Sequence, residues 1–166
     1  MGEHFRPVRV RVLVCGERLR GDDGAAVLAA EMLPPEVRAL AEVREVGQLT
    51  VEELLDVPEP VALIVADAAM GVAAGRIVTL PLGEVARSAG SGATPASSHA
   101  LPPDQVLALA DELRGSPTRG LFVGIGGLQF ALGAELSPEV AAVLPDYARA
   151  IADAITSAAR SQADPA

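Results

Sequence analysis

Apolar residues along the chain fall into short runs set off by turn-forming positions. Val8 to Val14 alternates and then turns wholly apolar, the pattern of a strand entering a buried sheet. The loop Gly16 to Gly24 follows, then a helix from Ala25 to Leu33 that Pro34-Pro35 ends, because proline cannot continue the hydrogen-bond ladder. Ala41 to Val46 reads as a second strand and Val51 to Leu55 as a short helix closed by Pro58 and Pro60. Val61 to Ala66 is the clearest buried strand, and it ends on Asp67; Arg76 to Leu80 makes a fourth, shorter strand. Ser88 to Ser98, rich in Gly, Ser, Ala and Thr, is expected to be a mobile loop. Pro102 and Pro103 lead into a helix from Asp104 to Leu113, and Gly120 to Ile125 forms a fifth strand. Ser137-Pro138-Glu139 opens the last helix, with Ser as N-cap; it runs to about Ile155, Pro145 being a point where it can break. From Ser157 onward the tail is polar and expected to fray.

The order β-α-β-α-β-β-α-β-α, with short apolar strands, predicts a three-layer α/β/α sandwich around a mostly parallel, twisted sheet of about five strands. A length of 166 residues without repeats or a linker suggests a single domain, 1–166, with its core over about 8–155 and short disordered tails. In such sheets ligands bind at the carboxyl ends of the strands, near a topological switch point. The loops after the first and third strands are therefore the places to look.

Composition narrows the chemistry. Half of the residues are apolar, yet there are only three Phe, one Tyr and no Trp, so the core is built from Val, Leu, Ile and Ala. A net charge of −9 would repel a phosphate backbone, so nucleic acid is not expected as a partner. The single cysteine, Cys15, excludes an internal disulfide and fits a reducing compartment. No apolar run is long enough to span a bilayer, and the N-terminal residues show no apolar signal region, so a cytoplasmic protein is expected. All 13 basic residues are Arg; any mechanism that needs a lysine is excluded.

Gly16-x-x-x-x-Gly21 superficially resembles a phosphate loop, but Asp22 and Asp23 stand where Lys and Ser or Thr are required. Asp22-Asp23 with Asp67 also suggests a phosphoacceptor receiver, which needs a lysine after the fifth strand; Gly124-Ile125-Gly126 stands there instead. Carboxylates at two strand ends favour a cation, since negative charges held close are costly unless compensated. His99, the one histidine besides His4 in the N-terminal tail, supplies a third ligand. Asp23, Asp67 and His99 with open positions suit Zn, Fe, Mn or Ni, and composition does not choose among them. Each residue alone has a plainer reading: Asp22 or Asp23 as a helix cap, Asp67 bonding loop amides, His99 on the surface. Cys15 reads as a small core residue; a reactive thiol would need an electropositive neighbourhood, for which Arg18 and Arg20 are the candidates. Ser97 and Ser98 beside His99 do not make a triad, because Gly-x-Ser-x-Gly is absent.

Three motifs resemble those of the maturation endopeptidases of nickel-iron hydrogenases, over about Val8 to Ile155. They are Gly16-x-x-Leu19-x-x-Asp22-Asp23-Gly24, Val65-Ala66-Asp67-Ala68 and Ser97-Ser98-His99-x-Leu101, with Leu136-Ser137-Pro138-Glu139-Val140 in support. The resemblance implies that Asp23, Asp67 and His99 bind the metal. It implies removal of a C-terminal extension from a hydrogenase large-subunit precursor after nickel insertion, the nickel being carried by the substrate, although zinc or another divalent metal also fits. It implies an enzyme, an endopeptidase that activates a hydrogenase; the alternative is a non-catalytic metal- or partner-binding paralogue. The chain departs from the family at Glu17, where Asn is usual, at Val46-Gly47-Gln48-Leu49, where Asp-Gly-Gly-Thr is usual, and at Gly126-Gly127. Glu17, Gly47 and Gln48 are accordingly candidates for substrate recognition.

Overall fold

The structure, a computed structural model, describes residues 9–69, 71–89 and 101–163. Five strands form one sheet: β1 (Val10–Cys15), β2 (Glu42–Gly47), β3 (Ala62–Ala69), β4 (Ile77–Pro81) and β5 (Gly120–Gly126). Their spatial order is β2-β1-β3-β5-β4, parallel throughout except that β4 runs antiparallel to β5. Around them lie α1 (Ala25–Glu31), α2 (Pro35–Arg38), α3 (Val51–Leu55), α4 (Leu82–Arg87), α5 (Pro103–Arg114) and α6 (Pro138–Ala163). This is the mostly parallel α/β sandwich that the alternation of strands and helices predicts.

The two-residue period of the strands divides the core. Val10, Val12, Val14, Ile64, Ala66, Val123 and Ile125 face α1 and α6. Leu13, Cys15, Leu63, Val65 and Phe122 face α3, α4 and α5. Both faces are covered, which is why the strands read as nearly continuous apolar runs.

Several expectations shift at their edges. β3 does not end on Asp67; it continues to Ala69, because Asp67, Ala68 and Ala69 pair with Gly124, Ile125 and Gly126 of β5. Pro34-Pro35 ends one helix and starts another: α2 begins on Pro35, whose missing N–H costs nothing in a first turn. α4 lies where the pattern gave no helix, burying only Leu82 and Ala86. The last helix neither breaks at Pro145 nor stops at Ile155. Pro145 and the carbonyl-bearing Ala141 one turn earlier are both exposed, so water can take the bond that proline cannot make. Beyond Ile155, Ala158 and Ala159 pack on the core, and Gln162 accepts a bond from Arg9 at 2.7 Å while donating to the Pro60 carbonyl at 2.6 Å. The expected frayed tail is thus anchored helix as far as Ala163. Among the described residues no helix is long and apolar enough to cross a membrane.

Candidate metal centre at the carboxyl edge

The chain leaves β1 outward to β2 on one side, while β3 lies on the other. The switch point therefore falls between β1 and β3, where ligand sites form in open α/β sheets. Asp23 follows β1 and Asp67 lies near the end of β3, so the fold puts the two carboxylates on either side of that point. Asp67 shares the face of Leu63 and Val65, toward α3, α4 and α5, by strand alternation.

The turn after β1 is built to deliver Asp23. Gly16 has φ +110, and an added Cβ there would collide with the Asp23 carbonyl oxygen. Only glycine lets the chain fold back that closely. The Glu17 N–H donates to Asp23 Oδ2 at 2.8 Å, and the Gly16 N–H donates to the Gly47 carbonyl at 2.6 Å. A single 3-10 turn, Gly21–Gly24, carries Asp22 and Asp23, both buried.

The two neighbouring aspartates have different environments. Asp22 accepts from the N–H groups of Leu128 (2.7 Å), Gln129 (3.0 Å) and Ser137 (2.7 Å), and from the Ser137 hydroxyl (2.8 Å). Burial alone would raise its pKa, but these donors outweigh it and hold the carboxyl below its ordinary value. With its oxygens thus occupied, Asp22 is a structural clasp between the loop after β1 and the loop after β5. Ser137, expected as a helix cap, gives its hydroxyl to this clasp.

Asp67 is buried, and its carboxyl is pushed up to about 8, first by burial and then by the negative charge of Asp23, against a lowering by the Ala68 N–H. That mutual repulsion is the electrostatic signature of a pair that a cation would relieve. Oxygen donors of this kind suit a divalent ion as part of a mixed set with imidazole. The third candidate, His99, lies outside the described residues, as do Ser97, Ser98, His4 and most of the Ser88 to Ser98 loop. Among the described residues no group of three His, Cys, Asp or Glu side chains could hold an ion.

Cys15 is buried beside this pair, and its thiol pKa is raised well above the usual value by burial and by Asp67, Asp23 and Glu53. Arg18, one candidate for activating it, is paired with Glu31 instead. The thiol is a core group. Tyr147 of α6 was not singled out by sequence, although it is the one tyrosine in the chain. Its buried hydroxyl donates to the carbonyls of Val123 (2.9 Å) and of Asp67 itself (3.2 Å), pinning the backbone that carries the carboxylate. The signal was available as a lone aromatic on an apolar helix face.

Of the recognition candidates, Glu17 is exposed and Gly47 and Gln48 are half-buried. The Glu17 carboxylate lies over Gly47, its Oε1 3.4 Å from where a Cβ on that glycine would sit. Gly47 adopts φ +64 at the end of β2. Glu17, a departure from the usual motif, thus meets the segment after β2 at Gly47, the position of that segment which matches the usual one.

A family model described as hydrogenase maturation protease matches residues 27–154, a span that includes Asp67 and His99 and begins just after Asp23. No curated protein matches significantly. Among solved structures, the chain is similar to the hydrogenase maturating endopeptidase HybD from E. coli, with 24% identity and a TM-score of 0.69 over 90% of this chain and 93% of that one. It is also similar to the nickel-iron hydrogenase maturation protease HybD from Thermococcus kodakarensis, with 24% identity and a TM-score of 0.66 over 87% of this chain and 97% of that one. A hydrogenase 3 maturation protease aligns at 21% identity with a TM-score of 0.61, over 89% of this chain and 88% of that one. At these identities the structural likeness speaks for the fold, and the family match speaks for descent.

Proposed function

The chain belongs to the hydrogenase maturation protease family, and from that premise we propose that it removes the C-terminal extension of a nickel-iron hydrogenase large-subunit precursor after nickel insertion. The observation that carries this reading is the buried pair Asp23 and Asp67, one on each side of the switch point, with Asp67 raised to about 8 partly by the charge of Asp23. Two buried carboxylates, one raising the pKa of the other, suit a cation, and His99 completes the donor set. The nickel is the substrate's own, so the site reads whether the cofactor has been installed; zinc or another divalent ion would satisfy the same donors. A metal held by Asp23, Asp67 and His99 would supply Lewis-acid polarisation of a peptide carbonyl and of a water, chemistry that requires no protein nucleophile. Asp23 is held by the Glu17 N–H and Asp67 by the Tyr147-pinned backbone, which fixes the approach of the peptide. The work is assigned to the cytoplasm, a reducing compartment that the single unpaired cysteine fits.

A second reading, a non-catalytic paralogue that keeps the metal- or partner-binding site, is favoured by Glu17 leaning over Gly47 at the rim. One experiment separates them. The precursor is co-expressed with its maturation machinery and its size is followed with the wild-type protein, Asp67→Asn or His99→Ala. Processing by the wild type alone is expected. Normal processing by either variant would overturn the metal reading, and no processing by the wild type would favour the paralogue.

A further inference from the structure

The three most exposed large apolar side chains among the described residues are Leu132, Leu19 and Leu128, at 71%, 69% and 65%. All three stand on the two loops that Asp22 clasps together. The Gly133 N–H donates to the Leu19 carbonyl at 2.7 Å, the Gly21 N–H to the Ala134 carbonyl at 3.0 Å, and the Asp22 N–H to the Gln129 carbonyl at 2.7 Å. The Leu128 N–H donates to the Asp22 carboxylate at 2.7 Å. Backbone tied down on both strands of the junction displays these side chains in fixed positions. In a chain of net charge −9, the segment Gly126 to Ala134 carries no charged residue.

Single exposed leucines are ordinary on protein surfaces, but a group of them on adjoining, rigid loops marks an interaction site. We propose that Leu19, Leu128 and Leu132 form an apolar ledge that docks the protein substrate, the large-subunit precursor, through an apolar segment of its own. This rests on the processing reading above. The occupant follows from position: Asp23 sits on the same loop as Leu19, and Asp22 joins that loop to the one bearing Leu128 and Leu132. A peptide bond brought to Asp23 and Asp67 belongs to a protein whose surface must lie against that rim. The ledge is continuous with the contact that the reaction itself demands, and its lack of charge spares the partner the repulsion of an acidic chain.

The test uses purified, nickel-loaded precursor and the double variant Leu128→Ser, Leu132→Ser, with Leu113→Ser, 62% exposed on α5, as a matched control. Binding is followed by interferometry and cleavage at varied precursor concentration. The double variant is expected to weaken binding and raise KM by about tenfold or more with kcat retained, as loss of apolar anchors does, while Leu113→Ser behaves as wild type. Melting temperatures of both variants near that of the wild type exclude misfolding; Leu19→Gln gives an independent variant should one misfold. Wild-type cleavage matched by the double variant would overturn the ledge and leave the processing reading intact. Precursor binding that the double variant loses, with no cleavage by the wild type, would support the ledge and overturn the processing reading. A wild-type dimer that the double variant splits, seen by light scattering, would assign the ledge to a second copy of this chain and overturn the proposal.

Discussion

Ser137 gives two donors to one carboxylate: its N–H reaches Asp22 Oδ1 at 2.7 Å and its hydroxyl reaches Oδ2 at 2.8 Å. With Leu128 and Gln129, four donors from three residues converge on a buried anion. Asp22→Ala strands those donors, and each unsatisfied one costs ~1–3 kcal/mol, so the variant is expected to lose about 4 kcal/mol in urea denaturation. The Asp22 carboxyl is held below its ordinary 3.8, so its stabilisation is present above that value and lost as pH falls through the lowered one. The stability gap between wild type and Asp22→Ala should therefore narrow in strong acid. A gap that stays constant to the lowest pH would show the carboxylate charge to be irrelevant.

Asp67 gives the opposite slope. Its folded value of about 8 lies above the ordinary 3.8, so the folded, metal-free chain holds a proton that the unfolded chain has released between those values. Stability is then lost as pH rises from about 4 to about 8, with a limiting slope of one proton. Melting temperature measured from pH 5 upward in a chelator should decline in the wild type, and Asp67→Asn should flatten the decline. An equal slope in both proteins would rule out Asp67 as its source.

Tyr147 is the one tyrosine, so its ionisation can be read without interference. Burial first, then Asp67 and Cys15, raise its pKa well above the usual value. Phenolate absorbance should appear only together with alkaline unfolding, followed by circular dichroism. Tyr147→Phe removes the donor shared by the Val123 and Asp67 carbonyls and is expected to cost about 1 kcal/mol.

Pro145 sits inside α6 without breaking it. Proline in a helix interior is ~3 kcal/mol less favourable than alanine, although an exposed site that water can solvate recovers part of this. Pro145→Ala is expected to stabilise the protein by about 1–2 kcal/mol in thermal unfolding, leaving precursor processing unchanged. No gain in stability would mean that the helix has already adapted fully to the ring.

Much of this architecture is legible one element at a time. The runs Val10 to Val14 and Leu63 to Ala66 announce buried strands because both faces of a parallel sheet are covered, and that burial is written in every residue. Pro103 and Pro138 mark helix starts for a reason local to the backbone, whereas Pro35, read only as a helix end, also starts α2. Asp23 and Asp67 could be singled out because they follow such strands, where ligand loops gather. What failed were boundaries set by distant partners. β3 runs past Asp67 because β5 is there to pair with it, and α6 runs past Ile155 because the core and Pro60 hold its end.

The pair Asp22-Asp23 draws the line most clearly. Sequence alone determined that two carboxylates follow the first strand, that no lysine can accompany them, and that the loop's glycines permit a tight turn. The sequence and its resemblance already set Asp23 beside Asp67, and only the tertiary structure supplied the physical difference: donors enclose Asp22, whereas Asp23 raises the pKa of Asp67. The donors that claim Asp22 come from Leu128, Gln129 and Ser137, more than a hundred positions away. A hydrogen bond depends on direction and separation in space, and neither is encoded in the spacing of two adjacent residues.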